Sequence, residues 1–463
     1  MPQASKVVVL GLDSAPTLLL DEWLPDLPHL RRLAEQGLYG PIQSSVPPIT
    51  IPAWATFATS KNPGRLGFFG FRNRVDFSYD RLATANSTSV KEPTVWQLLS
   101  QAGKQVGLLG VPQTYPPPPV NGFAVSCFMT PDADSAYTWP PDLKGEIERD
   151  FGRYTFDVKF RTEAKASLLS EIYQMTGQHF RLARHLLASR PWDFFMMVEM
   201  GTDRLQHAFW KYFDPRHRKY QPGNDYQAAI PSYYRYLDRE IGQLLALVPD
   251  DAAVIVVSDH GAQRMDGSFH LNDWLLREGY LHLAAPPSGV QEFKRTRVDW
   301  SRSTAWGWGG YYGRVFLNVA GREPQGIVPP GDYERLRDEL AERLEAIPDD
   351  QGRPLATRAI KPQQVYTGPY TDTAPDLCVY FGDLSWRVTE DVGHASLYSF
   401  DTEIGPDDAV HDEYGIYILR PPGGGGGGRR LQGLTLLDGG APTILQLLGL
   451  PVPQDMEGRP VAI

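Results

Sequence analysis

Cysteine is nearly absent from this chain of 463 residues, which contains only Cys127 and Cys378. Two cysteines cannot form a disulfide framework, and alone they cannot supply a thiolate metal site. No apolar run approaches the roughly 18 residues that a membrane-spanning helix needs. The apolar run Val7–Leu12 is interrupted by Asp13 and is too short for the core of a signal peptide. We therefore expect a cytoplasmic protein without a membrane span.

The chain also has no excess of positive charge. Its 45 lysines and arginines are outnumbered by 55 aspartates and glutamates, so the formal net charge is −10. This balance argues against a nucleic-acid duplex or an anionic membrane surface as the main partner, although it permits local basic pockets. Hydrophobic residues make up 42% of the chain and charged residues 22%, which excludes the fibrous and disordered classes.

Three apolar runs in the sequence are each followed by an aspartate. The pairs are Val7–Leu12 with Asp13, 194–200 with Asp203, and Ala253–Val257 with Asp259. Between them, apolar residues from Leu168 to Leu186 recur at helical spacing. This alternation predicts an α/β fold with a mainly parallel central sheet and helices on both faces. Because ligands bind beyond the carboxyl ends of such strands, the three aspartates indicate a functional site.

The character of the sequence changes between residues 280 and 364. Aromatic residues cluster from Trp300 to Tyr312, and an amphipathic helix follows with Leu336, Leu340 and Leu344 on one face. We expect a smaller subdomain here, inserted into a core that is formed by residues 1–279 and 365–463. The aromatic cluster is interpreted as packing of this subdomain, and stacking against a substrate ring is the alternative.

Carboxylates and imidazoles recur at spacings that suit metal binding. Asp203 and His207 are four residues apart, so both side chains lie on one side of a helical turn. Asp259 and His260 are adjacent at a strand end, and His411 precedes another apolar run. A mixed set of this kind suits zinc or manganese better than calcium, which prefers oxygen ligands alone.

Two other histidines compete with this assignment. His394 is the main alternative to His411, and His270 would instead line the cleft. A metal-bound imidazole is usually oriented by a further hydrogen-bond partner, and for His411 we expect Asp412 or Glu413 in that role.

Thr50 is the candidate nucleophile. Pro52 fits the first turn of a helix, which leaves Thr50 beside a helix N-terminus, where unpaired N–H groups favour a negative oxygen. A threonine hydroxyl beside a divalent cation would ionise near neutral pH and attack phosphorus. A helix-capping role is the alternative for Thr50, as it is for each of the three aspartates.

Taken in order, these residues resemble the alkaline phosphatase superfamily and, within it, the type I phosphodiesterase/nucleotide pyrophosphatase family. The motifs are Leu10-Gly11-Leu12-Asp13, Thr50-Ile51-Pro52, Asp203 with His207, Ser258-Asp259-His260-Gly261, and His411. The resemblance extends from Val7 to Arg459. It implies an alkaline phosphatase-like fold and hydrolysis of phosphodiester or pyrophosphate bonds through a phosphothreonine intermediate. The expected partner is a small-molecule phosphoester such as a nucleotide, and the oligomeric state stays open.

The resemblance also implies two divalent metal ions, zinc or manganese, beside the nucleophile Thr50. One ion would be held by Asp13, Thr50, Asp259 and His260, and the other by Asp203, His207 and His411. In the family, an asparagine after the nucleophile helix binds a phosphoryl oxygen. Strict spacing places Phe71 there, so Asn73, Arg72 or a backbone N–H group would supply this contact.

Related activities are separated by particular residues. A sulfatase would need cysteine or serine at Thr50 and arginine at Trp54, and the serine motif of the cofactor-independent phosphoglycerate mutases is not found. Phosphomonoester and phosphonate hydrolysis stay open, because the phosphonate hydrolases also use a threonine. A catalytically silent binding module would be favoured by the loss of a ligand, but every expected ligand is present.

Among phosphoesters we expect diesters to be preferred. No arginine stands at Trp54 to bind the extra oxygen of a dianionic monoester, and nearby apolar side chains suit the second substituent of a diester. Those side chains are Trp54, Phe68, Phe69 and Phe71. As the alternative, Arg72 and Arg74 would turn inward and bind a dianion.

Overall fold

The three apolar runs form neighbouring strands of one large sheet in the computed structural model, which describes residues 3–463. The strands of the structure are β1 (Val7–Leu12), β2 (Leu38–Gln43), β3 (Arg72–Arg74), β4 (Leu82–Thr84), β5 (Val106–Leu109), β6 (Gly122–Val125), β7 (Thr138–Trp139), β8 (Phe194–Glu199), β9 (Ala253–Val257), β10 (Gly261–Arg264), β11 (Gly267–His270), β12 (Ala305–Trp308), β13 (Gly313–Leu317), β14 (Arg358–Ile360), β15 (Leu377–Tyr380), β16 (Trp386–Thr389), β17 (Tyr398–Ser399), β18 (Ala409–Asp412), β19 (Tyr414–Arg420), β20 (Arg429–Arg430) and β21 (Leu434–Thr435).

Helices follow most of the central strands. The α-helices are α1 (Pro28–Gln36), α2 (Thr50–Thr59), α3 (Pro63–Leu66), α4 (Val95–Gln101), α5 (Leu143–Phe151), α6 (Lys165–Ser189), α7 (Gly201–Phe213), α8 (Ala229–Leu245), α9 (Leu271–Arg277), α10 (Tyr333–Glu345), α11 (Pro362–Val365), α12 (Leu436–Gly439) and α13 (Ala441–Leu447). A π-helical turn spans Leu19–Trp23, and 3₁₀ turns span Leu24–Asp26, Ser87–Ser89, Phe293–Arg295, Pro330–Asp332 and Thr371–Thr373.

The central sheet is mainly parallel, as the sequence predicts. Its strand order is β20-β2-β19-β9-β1-β8-β5-β6-β7, with β21 also paired to β2. Strands β9, β1, β8, β5 and β6 are mutually parallel neighbours. Strand β19 runs antiparallel to both β9 and β2, and β7 runs antiparallel to β6. The carboxyl ends of β1, β8 and β9 therefore meet at one edge of the sheet.

Helices cover both faces of this sheet, which explains why β1 is apolar at every position. Val8 and Leu10 pack into a core with α1, α6, α7 and α8. Val7 and Val9 point the other way, into a core with α2, α4 and α13. Because successive side chains of a strand point to opposite faces, a strand covered on both sides has no solvent-facing position.

A second, smaller unit lies beside the central sheet and has its own hydrophobic core. It contains a sheet of order β12-β13-β15-β14 and another of order β16-β11-β17. Helix α10 packs here through Leu340 and Leu344, as its amphipathic pattern predicts. The core of this unit extends from Phe269 to Val392, so residues on both sides of the predicted segment 280–364 take part.

Within residues 3–463, no helix is both long enough and apolar enough to cross a membrane. Cys127 and Cys378 are buried free thiols.

A close contact between β1 and α2 occurs at Gly11. A Cβ atom added there would lie 2.6 Å from the Trp54 ring and 2.7 Å from Val198, well inside van der Waals contact. Trp54 is buried and α2 packs on this face of the sheet. The lack of a side chain at Gly11 is thus required for α2 to sit as close to β1 as it does.

We predict that Gly11→Ala lowers the free energy of unfolding by about 1–3 kcal/mol, because overpacking displaces the Trp54 ring. Gly145→Ala is the matched control, since no atom lies within 4 Å of its added Cβ. It should be neutral or stabilise α5 by up to about 1 kcal/mol. Urea unfolding of both variants tests this, and equal stability of the two would contradict the close contact.

Candidate active site

Asp13, Asp203 and Asp259 meet at the carboxyl edge of the central sheet. Asp13 directly follows β1, Asp259 follows β9 after one residue, and Asp203 lies in the first turn of α7, just after β8. All three side chains are buried. The parallel pairing of β1 with both β8 and β9 brings together residues that are far apart in sequence.

The first group of ligand atoms belongs to Asp13, Asp259 and His260, and all of them lie within 4.8 Å of one another. His260 Nε2 is 3.3 Å from Asp259 Oδ2 and 3.7 Å from Asp13 Oδ1. The hydroxyl of Thr50 lies 3.4 Å from the same His260 nitrogen. The four residues predicted for one metal ion are therefore adjacent.

The second group is formed by Asp203, His260 and His411. The rings of His260 and His411 stack with their centroids 3.8 Å apart. His207 Nε2 lies 3.2 Å from Asp203 Oδ1, so it joins this group through the aspartate. All seven predicted ligands are thus in one place, but His260 stands between the two predicted sets and is not confined to the first.

Each of the three carboxylates has one oxygen held by the protein and one without a hydrogen-bond partner. Trp54 Nε1 donates to Asp13 Oδ2 at 2.8 Å, Arg204 Nη1 to Asp203 Oδ2 at 2.5 Å, and the Ser14 N–H to Asp259 Oδ1 at 3.3 Å. Within residues 3–463, the other oxygens are buried and make no well-formed hydrogen bond. Buried acceptors of this kind are costly, and divalent cations would satisfy them.

The electrostatics of the group agree with this interpretation. Burial and the neighbouring Asp203 raise the pKa of Asp13 to about 8. Burial and Asp13 raise the pKa of Asp259 above its usual range. Because cations favour ionised carboxylates, bound metal ions would reverse both shifts. The donor set, with three carboxylates and three imidazoles, is one that zinc and manganese accept.

The three imidazoles are oriented by hydrogen bonds at Nδ1, which direct Nε2 toward the carboxylates. His260 Nδ1 pairs with the Gly261 carbonyl at 2.9 Å and His411 Nδ1 with the Pro48 carbonyl at 2.7 Å. Burial lowers the pKa of His260 to about 4 and lowers that of His411 as well, so both rings are neutral, as metal ligands must be. The expected partners of His411, Asp412 and Glu413, are not used.

His207 is held by a carboxylate that the sequence did not reveal. Its Nδ1 lies 2.8 Å from Asp407 Oδ1 and 3.0 Å from the Ala409 carbonyl. Burial opposes protonation, but Asp407 and Asp203 raise the pKa of His207 to about 10. A carboxylate on the far nitrogen of a metal-binding histidine fixes its tautomer and raises its basicity.

Two more residues contact the predicted ligands, and the sequence pattern did not identify them as part of the site. The Tyr311 ring stacks on His411 and its hydroxyl donates to Asp407 Oδ2 at 2.9 Å. Arg204, which donates to Asp203, also donates to both carboxylate oxygens of Asp157 at 2.7 and 2.8 Å. Tyr311 belongs to the aromatic cluster that was interpreted as packing. Arg204 follows Asp203 directly, and that adjacency was the one available signal.

Thr50 is the first residue of α2, and Pro52 occupies the first turn, as predicted. Ile49 before it has an extended backbone, so the helix begins abruptly at the nucleophile candidate. Thr50 lines a cleft of about 450 Å³ together with Asp203, His207 and His411. The N–H groups of the first turn therefore lie beside the same cleft as the predicted metal ligands.

The structure does not place Asn73 in this cleft. Its side-chain oxygen accepts from the Phe69 N–H at 2.6 Å, and its amide nitrogen donates to the Gly70 carbonyl at 2.9 Å. The amide thus holds the preceding turn together. Residues Gly70, Phe71 and Arg72 line the cleft in its place, so the prediction that Asn73 contacts a phosphoryl oxygen is wrong. Arg72 and a backbone N–H group stay predictions for this contact.

The apolar wall of the cleft also differs from the expected one. Trp54, Phe68 and Phe69 are buried in the protein core, and the indole N–H of Trp54 binds Asp13. Phe71, Phe128 and Phe160 line the cleft. Of the four aromatic residues expected to contact a substituent, Phe71 is the one that lines the cleft.

His394 lies in a separate group with His270 and Asp273. Its Nδ1 is 2.8 Å from Asp273 Oδ2, and its ring lies against His270. Both nitrogens of His270 are hydrogen-bonded, to the Ser396 carbonyl and the Ser399 hydroxyl. His411, and not His394, therefore stands beside Asp203 and His260.

Comparison with known proteins places this geometry in context. The family profile of type I phosphodiesterase/nucleotide pyrophosphatase matches residues 7–407. A comparison with curated proteins finds no match.

Several solved structures share the fold. Phosphonoacetate hydrolase from Sinorhizobium meliloti 1021, in complex with phosphonoformate, is 16% identical with a TM-score of 0.58, over 97% of this chain and 96% of that one. Human ectonucleotide pyrophosphatase/phosphodiesterase 5 is 12% identical with a TM-score of 0.55, over 97% and 96%. An inactive murine form of that protein, in complex with AMP, is 14% identical with a TM-score of 0.53, over 97% of both chains.

The profile match spans most of the chain and includes all the predicted ligands except His411. The neighbours have the alkaline phosphatase-like fold that the motifs implied. This chain therefore belongs to the type I phosphodiesterase/nucleotide pyrophosphatase family and is a phosphohydrolase of the alkaline phosphatase superfamily.

Proposed function

We propose that this protein hydrolyses phosphodiester or pyrophosphate bonds, with Thr50 as the nucleophile beside two bound divalent metal ions. One observation carries the proposal. The Thr50 hydroxyl, at the start of α2, lies 3.4 Å from His260 Nε2 and beside carboxylates with one unpartnered oxygen each. A hydroxyl in this position can be activated and presented to a phosphorus atom in the same cleft.

Zinc is the first candidate for the metal ions, and manganese the second. The residues that would hold them are Asp13, Thr50, Asp203, His207, Asp259, His260 and His411. When bound, such ions lower the pKa of a neighbouring hydroxyl and neutralise charge on the phosphoryl oxygens. Neutral His260 and His411 suit this role, and Asp407 keeps His207 in place from behind.

The reaction would then proceed in two displacements at phosphorus. In the first, Thr50 Oγ1 gives its proton to solvent and bonds to phosphorus, and the leaving-group oxygen departs with the electron pair of the broken P–O bond. In the second, a water oxygen bonds to phosphorus and gives a proton to solvent, and Thr50 Oγ1 departs with the electron pair of its P–O bond and takes up a proton. The N–H groups at the start of α2 would bind a non-bridging oxygen.

We predict that Thr50→Ala lowers kcat at least about a thousandfold, because the attacking oxygen is removed. Thr50→Ser should retain measurable turnover, since it keeps the hydroxyl. Thr56→Val is the matched control in α2, where the buried Thr56 hydroxyl has no hydrogen-bond partner within residues 3–463. Turnover of bis-p-nitrophenyl phosphate is the measurement, and near wild-type kcat in Thr50→Ala would exclude the nucleophile assignment.

We also predict that Trp54→Phe weakens metal binding about 10- to 100-fold, because Asp13 loses the indole N–H that holds its Oδ2. Trp96→Phe serves as control, since Trp96 is buried on the same face of the sheet. Metal content by mass spectrometry and titration against a chelator give the result. Wild type should bind two equivalents, and removing them should abolish turnover. An unchanged metal affinity in Trp54→Phe would argue against Asp13 as a ligand.

The cleft supports a preference for diesters, although most of its aromatic wall comes from residues other than those predicted from the sequence. Phe71 is 36% exposed and lies with Phe128 and Phe160 along the cleft, where an apolar second substituent would pack. Arg74 is not among the residues that line the cleft. Its guanidinium pairs with Glu323 at 3.2 Å and stacks over Trp306.

We therefore predict that kcat/KM for bis-p-nitrophenyl phosphate exceeds that for p-nitrophenyl phosphate by about tenfold or more. Phe71→Ala should reduce the ratio, because it removes part of the apolar wall. Val75→Ala, which removes a 54% exposed side chain near the same hairpin, should leave the ratio unchanged. A monoester preference that is lost in Arg72→Ala would instead assign Arg72 as a phosphate clamp and refute the diesterase proposal. Phenylphosphonate as a third substrate tests phosphonate hydrolysis.

A further inference from the structure

The cleft beside Thr50 is lined by two arginines that form no ion pair within residues 3–463. Five arginines line it, in a chain whose formal net charge is −10. Three of them form ion pairs: Arg161 with Asp407 at 3.2 Å, Arg204 with Asp157 at 2.7 Å, and Arg387 with Glu403 at 2.7 Å. The remaining two are Arg72 and Arg314.

Within residues 3–463, no carboxylate oxygen lies within 4.0 Å of the guanidinium of Arg72 or Arg314. The carboxylate of Glu390 accepts from the N–H of Gly309, whose carbonyl binds Arg314, at 2.8 Å. Glu390 forms an ion pair with neither arginine. Arg314 is partly buried, and a partly buried cation without a counter-ion is unfavourable, so an anionic ligand would compensate it.

Arg314 is fixed in position. It lies on β13, which is paired on both sides, with β12 and with β15. Its Nη1 donates to the Arg72 carbonyl at 3.0 Å and its Nη2 to the Gly309 carbonyl at 2.9 Å. Its Nε is buried without a partner among the residues the structure describes. Arginine has five N–H donors, so two carbonyl contacts leave donors and the full charge available to a ligand.

Arg72 adds a second charge next to the first. It is the first residue of the hairpin strand β3, it is exposed, and its backbone carbonyl is the group that Arg314 binds. The two guanidinium groups therefore belong to neighbouring residues on one wall of the cleft. Paired arginines of this kind bind carboxylate and phosphate groups.

We propose that Arg314 and Arg72 form a second anion subsite, so that the natural substrate carries an acidic group besides the phosphoryl group that Thr50 attacks. This inference rests on the proposed function, because it takes Thr50 as the position of the reacting group. The second group is a carboxylate or a further phosphate on the same small molecule. The cleft volume of about 450 Å³ is sufficient for such a molecule.

Binding of two nearly isosteric ligands to the metal-loaded protein tests the subsite. Ethylphosphonate and phosphonoacetate differ in that a carboxylate replaces the terminal methyl group, and methylenediphosphonate places a second phosphonate there. Calorimetry should show phosphonoacetate or methylenediphosphonate binding wild type at least about tenfold more tightly than ethylphosphonate. The ligand whose Kd rises more in Arg314→Gln identifies the acidic group as carboxylate or phosphate.

Variants then separate the subsite from the reacting centre. In Arg314→Gln, the Kd of the doubly acidic ligand should rise about tenfold or more, and that of ethylphosphonate less than about threefold. Arg72→Gln, at an exposed position that does not endanger folding, should act in the same direction. Comparing each ligand between variant and wild type cancels its chelation of the metal ions. Arg81→Gln, near the same hairpin and paired with Asp76 at the surface, is the control that should change neither Kd.

The outcomes are distinct. If phosphonoacetate and methylenediphosphonate bind wild type no more tightly than ethylphosphonate, the subsite is refuted, whether or not bis-p-nitrophenyl phosphate is hydrolysed. If Arg314→Gln and Arg72→Gln weaken all three ligands equally, these arginines bind the reacting phosphoryl group and the subsite is again refuted. Failure of the proposed function would give a different result. Thr50→Ala would then retain wild-type turnover, while the doubly acidic ligands would still bind wild type more tightly than ethylphosphonate.

Discussion

Three aspartates without solvent at the edge of a parallel sheet set the main electrostatic constraint on this protein. Adjacent parallel strands end side by side, so Asp13, Asp203 and Asp259 cannot separate without breaking the sheet. One oxygen of each carboxylate accepts a hydrogen bond from the protein, and within residues 3–463 the other oxygen is buried without a hydrogen-bond partner. Neutralising those oxygens requires protons or cations, and this requirement explains most of the surrounding arrangement.

The positions of the histidines follow from that constraint. Each ring is held from behind by an acceptor. For His411 and His207 the acceptors, Pro48 and Asp407, come from distant parts of the chain, and for His260 the acceptor is the adjacent Gly261. The orientations of His207 and His411 are therefore consequences of the whole fold. A site held in this way is preorganised, so little reorganisation is needed when a cation or substrate binds.

The smaller unit and the central sheet make different contributions to the cleft. The sheet edge provides the nucleophile candidate Thr50 and the three aspartates predicted as metal ligands. The smaller unit provides Tyr311, which covers His411 and binds Asp407, and Arg314, whose charge has no partner in the described chain. In the proposed function, substrate selection could change through the smaller unit without disturbing the aspartates at the sheet edge.

Sequence alone was sufficient for the features that depend on neighbouring residues. The apolar runs gave the central strands, Pro52 marked the start of α2 at Thr50, and aspartates at strand ends marked the active edge. Strand and helix formation depend on local periodicity and turn chemistry, which a sequence displays directly. The seven residues predicted as metal ligands were selected in the same way, because each of them lies at the end of an element or at helical spacing, and the fold brings them together.

Tertiary structure alone decided where individual side chains point. Asn73 binds its own turn, Trp54 turns its indole N–H to Asp13, and Arg74 pairs with Glu323 on a segment far along the chain. The partners of His207 and His411 were also unpredictable, because they come from elements brought together only by sheet formation. The direction of a side chain is set by packing and charge across the fold, and neither is encoded in the spacing of nearby residues.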